Sequence, residues 1–128
     1  IEVLSQPGGG TPPHVHRREA EIFTILEGRY AFDLPGKTII AEAGSTVFAP
    51  ANVPHCYRNI GDSVGRMLVG MTPGALDAFF MEAGDEVPKG TTTPLPVTQE
   101  RIAKLGRTCT TFSIEMLAPD QKLGGPVA

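Results

Sequence analysis

His14-Val15-His16-Arg17-Arg18-Glu19-Ala20-Glu21-Ile22-Phe23-Thr24-Ile25-Leu26 joins two histidines, two residues apart, to an apolar β-branched run that opens on a carboxylate. Pro12 and Pro13 hold the chain extended just before it. In an extended chain residues i and i+2 face the same side, so both imidazoles reach one point. A helix would send them to nearly opposite sides. Glu21 comes five residues after His16, which is the wrong face of an unbroken strand. Arg17–Ala20 is therefore read as a four-residue hairpin loop that returns Glu21 across from His16. Glu21, Phe23 and Ile25 then share the inward face, and Ile22, Thr24 and Leu26 share the other. A carboxylate heading an apolar strand is costly to bury unless a cation pairs with it. Glu19 is the alternative carboxylate, which the same geometry leaves in the loop.

Working outward, residues 1–72 read as a series of strands. Ile1–Ser5, Glu21–Leu26, Tyr30–Leu34, Thr38–Ala41, Thr46–Phe48, His55–Asn59 and Arg66–Thr72 recur at the spacing of an all-β sandwich or barrel, with turns between them. Leu34-Pro35-Gly36-Lys37 has the chemistry of a type II turn. From Thr72 the pattern changes. Pro73–Ala83 is expected as a helix with Thr72 as N-cap and Leu76, Phe79, Phe80 and Ala83 on its apolar face. A second short helix is expected over Thr98–Leu105, then a strand within Thr110–Leu117. The chain is read as one domain over 1–128: a barrel core at 1–72, a helical segment and closing strand at 73–117, and a loose tail at 118–128.

Composition narrows the function classes. The chain has 128 residues, is 41% hydrophobic and 20% charged, and carries a net charge of −3. Arg17-Arg18 is its one basic doublet, so it lacks the footprint of a nucleic-acid binder. No apolar run approaches the roughly 18 residues of a membrane span. No signal-peptide pattern stands at the start, where Ile1 rather than Met opens the sequence. Cys56 and Cys109 match no metal-binding pair spacing and read as reduced thiols, which makes a cytoplasmic location the expectation.

The chemistry rests on the histidines. The sequence has three: His14, His16 and His55. His55 follows Pro54 and opens a strand whose alternation sets His55, Tyr57 and Asn59 on one face. His14, His16, Glu21 and His55 form a mixed nitrogen and oxygen donor set. It suits one divalent transition metal (Fe, Mn, Ni, Co, Cu or Zn) better than Mg or Ca. Four protein ligands on an octahedral ion leave two positions open, as a catalytic metal requires. Phe23, Ile25, Phe32, Phe48, Met67 and Met71 are candidate inward residues that would wall a small-molecule pocket around it. Glu21 is the candidate proton acceptor and Tyr57 the candidate hydrogen-bond donor to substrate.

Gly8-x5-His14-x-His16-x4-Glu21-x6-Gly28 resembles the first cupin motif, and Gly44-x5-Pro50-x-Asn52-x2-His55-x3-Asn59 resembles the second. Fifteen residues separate them, as in small bacterial cupins. Asn52 stands where the family usually has Gly, and Asn is the next most tolerant residue for a positive φ. From His14 to Gly84 the chain is similar to the quercetin-dioxygenase-like single-domain cupins. The resemblance implies a jelly-roll barrel, or double-stranded β-helix, holding a metal through the residues named above. It also sets the functional expectation: an oxygenase acting on a small aromatic or enolic compound. The alternatives are a metal-containing small-molecule binder or sensor without turnover, and a metal-dependent isomerase or lyase. The apolar outward faces of the strands add the expectation of a homodimer.

Overall fold

The computed structural model describes residues 1–128 and is mainly β. Its strands are β1 (Glu2–Ser5), β2 (His14–His16), β3 (Ala20–Glu27), β4 (Arg29–Leu34), β5 (Lys37–Glu42), β6 (Thr46–Ala49), β7 (Cys56–Asn59) and β8 (Gly65–Thr72), then β9 (Ile114–Met116). Between β8 and β9 lie two helices, α1 (Leu76–Ala83) and α2 (Gln99–Thr111). One sheet has the order β1-β8-β3-β6, and a second has the order β5-β4-β7. The pair β2-β9 adjoins the second sheet, because His14 and His55 exchange both backbone hydrogen bonds. All the ladders are antiparallel.

The two sheets close on an apolar core of Phe23, Ile25, Tyr30, Phe32, Leu34, Ala41, Val47, Ala49, Met67 and Val69. Each large side chain in it contributes about 1.5–3 kcal/mol by leaving water. The register explains which faces turn inward. Glu21, Phe23 and Ile25 of β3 lie opposite Met71, Val69 and Met67 of β8, while Ala49 and Val47 of β6 face Glu21 and Phe23 from the other side. Phe48 therefore pairs with Ile22 on the outer face and is 55% exposed. This corrects its placement among the pocket residues. Alternation along β6 gives the inward positions to the smaller Val47 and Ala49.

Four further expectations change. The hairpin across residues 17–20 does not form: β2 pairs with β9, and the chain crosses from one sheet to the other before Glu21. Thr72 is still paired with Ala20 in β8, so α1 starts only at Leu76, after an Ala75 N-cap at φ 108° with no side-chain cap. Thr98 does cap α2, accepting from the Arg101 amide at 3.3 Å, but that helix continues past Leu105 to Thr111. Gly106 costs about 1 kcal/mol there relative to Ala, and packing of Thr108 and Cys109 beyond it offsets that. The tail is not loose. Gly124 donates to Leu34, Thr38 to Pro126 and Ala128 to Thr38, which covers the edge of β5.

Two turns set the height of β7 and hence of His55. Asn52 has φ 67°, so the position where Asn replaces Gly does take the left-handed conformation. Gly10 bridges Arg58, and a Cβ there would lie 1.9 Å from the Tyr57 carbonyl oxygen. Gly10→Ala is expected to lower stability by about 1–3 kcal/mol through this backbone clash. Chemical denaturation checks it, and an unchanged midpoint would contradict the tight approach.

Candidate metal centre

Each ligand comes from a different constraint on the backbone. His14 and His16 share the inner face of β2, one pleat apart. Glu21 lies near the start of β3, on the face that carries Phe23 and Ile25 into the core. His55 stands immediately before β7, tied to His14 by reciprocal amide–carbonyl bonds of 2.9 and 3.1 Å. All four side chains are buried, and one donor atom from each lies within 4.8 Å of the others. His16 Nε2 is 3.2 Å from both His14 Nε2 and Glu21 Oε2, and His55 Nε2 is 2.8 Å from Glu21 Oε2.

The outer ring nitrogens reveal what the inner ones can do. His14 Nδ1 donates to the Pro12 carbonyl at 2.8 Å, and His55 Nδ1 donates to the Val53 carbonyl at 2.9 Å. A carbonyl only accepts, so both Nδ1 atoms carry the proton, and in the neutral ring Nε2 keeps its lone pair. Burial, then the neighbouring His55 charge, lowers His14 to about 4, so its ring is neutral at physiological pH. Burial pushes the Glu21 carboxyl up, but in the metal-free protein Nε2–H bonds from His16 and His55, together with their charge, more than reverse this and hold it at about 2; a bound metal would take the place of those Nε2 protons. Neutral imidazole lone pairs and an ionised carboxylate aimed at one buried point fit a divalent metal. The donor set leaves the identity of the metal open.

Beside His14, His16 and Glu21 lies a cavity of about 310 Å3. Phe23 and Tyr57 line it on the barrel side. Phe79 and Phe80 of α1, Leu105 of α2 and Ile114 of β9 line it on the other. No Lys or Arg side chain is among the lining residues. Of the other expected pocket residues, Ile25, Phe32 and Met67 are buried inside the core and do not reach this cavity. Met71 is partly buried where the barrel core meets the cluster of Leu76, Phe79, Cys109 and Ile114. Sequence reasoning missed the helical wall. The signal was the apolar face of α1, whose Phe79, Phe80 and Ala83 all line the cavity. Burial, then the Tyr30 and Glu21 charges, push the Tyr57 hydroxyl up to about 12, so it stays protonated and able to donate.

Glu19 lies in the loop between β2 and β3, as expected, but it is buried there, 3% exposed, and its Oε2 lies 3.9 Å from His16 Nδ1.

Two outcomes follow from this geometry. Protein purified without chelator is expected to carry one divalent transition metal per chain by elemental analysis, and His55→Ala to lose it. In the metal-free protein, an unfolded His14 takes up its proton near 6.5 and a folded one near 4. The unfolded state therefore binds more protons in that window, and stability falls as pH drops through it. Glu21, lowered from 4.5 to about 2, adds a further loss of stability below 4.5. Thermal melts in chelator should show Tm declining from pH 6.5 downward, with a smaller decline in His14→Gln. A flat wild-type profile would contradict the buried neutral ring.

Comparison with known proteins agrees with this architecture. The sequence pattern of the cupin domain matches residues 1–71. The chain is 31% identical over 85 residues to the Streptomyces cyaneus protein named polyketide synthase CurC, covering 66% of this chain and 55% of that protein. It is 31% identical over 71 residues to oxalate oxidase 2 of Hordeum vulgare, covering 49% of this chain and 32% of that enzyme. The chain thus spans about half or less of the length of these curated relatives. A Thermotoga maritima structure described as a predicted oxalate decarboxylase superposes with a TM-score of 0.52 at 28% identity, covering 55% of this chain and 61% of that one. An oxalate oxidase bound to the substrate analogue glycolate superposes with a TM-score of 0.52 over 85% of this chain and 62% of that one, at 22% identity, a likeness of fold alone. A match over more than half of its length, together with a double-stranded β-helix and a buried His/Glu cluster fit for a metal, places this chain in the cupin family.

Proposed function

We propose that this cupin is a metal-dependent oxygenase acting on a small aromatic or enolic compound. The observation that carries the reading is that three of the four ligands, His14, His16 and Glu21, line a mostly apolar cavity with no cationic side chain in its lining. Several similar proteins are named for oxalate, a small dianion. Lining without Lys or Arg is poorly suited to a free second carboxylate, and it suits an apolar body with a single anionic oxygen.

A divalent transition metal held by His14, His16, Glu21 and His55 supplies a Lewis acid and, for the redox-active ions, a centre for reaction with O2. The chain's own residues do the rest. The three imidazoles and the Glu21 carboxylate hold the ion. Glu21 at a pKa of about 2 is anionic throughout the physiological range, which favours its role as ligand and makes it a weak proton acceptor. Tyr57, protonated, donates a hydrogen bond to the substrate oxygen. Phe23, Phe79, Phe80 and Leu105 pack against the apolar body and keep water out. On the outside, Ile22, Phe48, Leu4 and Leu68 are exposed large apolar residues of a single sheet, and a homodimer would cover them.

Oxygen uptake by iron-, manganese- or nickel-loaded protein with flavonols and related enols tests the reading. Uptake matched to substrate loss is expected, with oxalate inactive. Tyr57→Phe should lower kcat/KM by up to about tenfold, the worth of a neutral hydrogen bond. Leu105→Glu should raise KM. Thermal stabilisation by such a compound without uptake under any metal would leave a binder or sensor. Turnover that is indifferent to anaerobic conditions would point to an isomerase or lyase. A monomeric mass by light scattering would remove the homodimer.

A further inference from the structure

We propose that Glu19 is the positioning residue for His16: its carboxylate accepts the His16 Nδ1–H, turns the Nε2 lone pair toward the other ligands, and supplies the second negative charge of the metal centre. This rests on the metal-centre reading above and extends it to a residue outside the ligand set.

The three imidazoles differ in one respect. His14 and His55 each donate Nδ1–H to the backbone carbonyl two residues earlier, that of Pro12 or Val53. The corresponding carbonyl for His16 is that of His14, which accepts from the His55 amide at 2.9 Å, and His16 Nδ1 makes no hydrogen bond to it. Its Nδ1 is buried without a hydrogen-bond partner, and so is Glu19 Oε2. These two atoms face each other at 3.9 Å. His16 is also the one ion-pair partner that Glu19 has.

Two orphaned polar atoms at 3% to 6% exposure are each costly alone, and each is the other's nearest complementary group, about 1 Å beyond hydrogen-bond distance. Closing that gap gives His16 the same tautomer as its neighbours, with Nε2 free to face Glu21. Charge supports the pairing. Three neutral imidazoles with Glu21 alone leave a divalent ion with an uncompensated positive charge in a buried site. Glu21 and Glu19 together balance it. A carboxylate on the outer nitrogen of a ligating histidine also raises the basicity of the inner one.

The test uses Glu19→Gln, Glu19→Asp and Glu19→Ala, titrated with Zn2+ against a chelator, with long-range 15N–1H correlation of the histidine rings in metal-free and Zn-loaded protein. Glu19→Ala should weaken Zn2+ binding 10–100-fold. Glu19→Gln, which keeps an acceptor but not the charge, should fall between it and wild type. In wild type His16 should carry its proton on Nδ1 with a strongly downfield signal, which moves upfield in Glu19→Gln and is lost in Glu19→Ala. His14 and His55 should not change. Wild-type Zn2+ affinity in the variants, or an unaltered His16 signal, would overturn the proposal while leaving the four-ligand centre intact. Failure of the wild-type protein itself to bind Zn2+ would overturn both.

Discussion

Three imidazole nitrogens and a carboxylate oxygen lie within 4.8 Å of one another inside the barrel, and each turns electron density inward. Left alone, that arrangement is unfavourable. Desolvated lone pairs repel, and a buried carboxylate needs a countercharge. A divalent cation resolves the conflict without charging the rings. The barrel architecture can be understood as the means of holding four such groups in place before the cation arrives.

That holding is done by backbone. β2 has three residues and would not persist alone. It is pinned on one side by β9 and on the other by the His14–His55 exchange, so two ligands are fastened directly to a third. Glu21 arrives from the other sheet, fixed by pairing of β3 with both β6 and β8. Asn59, 1% exposed, ties the far end of β7: its amide donates to the Ser5 and Ser63 carbonyls and its carbonyl accepts from Gly61. A preformed site of this kind spends its ordering entropy during folding rather than on binding the ion.

Much of this was legible in the sequence because strand periodicity is local. His-x-His after two prolines could only be extended, and the alternation of β3 and β7 gave the faces of Glu21, Tyr57 and Asn59 directly. The errors arose where partner choice is non-local. The returning strand after His16 was expected as a hairpin, yet residues 17–19 carry the chain between sheets, because β9, nearly a hundred residues later, takes the place beside β2. Glu19 does lie in the loop, and its burial there follows from that crossing, which no local pattern shows. Phe48 was expected inward, but the register of β6 against β3 turns it outward beside Ile22. Residues 118–128 lack strand pattern, but their last five pair with β4 and β5 through main-chain groups, which any sequence provides.

The origins of the site's two halves bear on how far family likeness reaches. All four ligands, with Phe23 and Tyr57, lie within residues 1–71, the part matched to the cupin domain. Phe79, Phe80, Leu105, Cys109, Ile114 and Met116 lie beyond it, on α1, α2 and β9. The shared barrel thus accounts for the metal centre, and the segment after residue 71 shapes the cavity wall opposite it. The names of barrel relatives consequently speak to the ion more than to the ligand. The wall facing the ligands is made of the aromatic and aliphatic side chains that this segment folds back over them. Their low polarity also strengthens every charge interaction at the centre, because little water is left nearby to screen it.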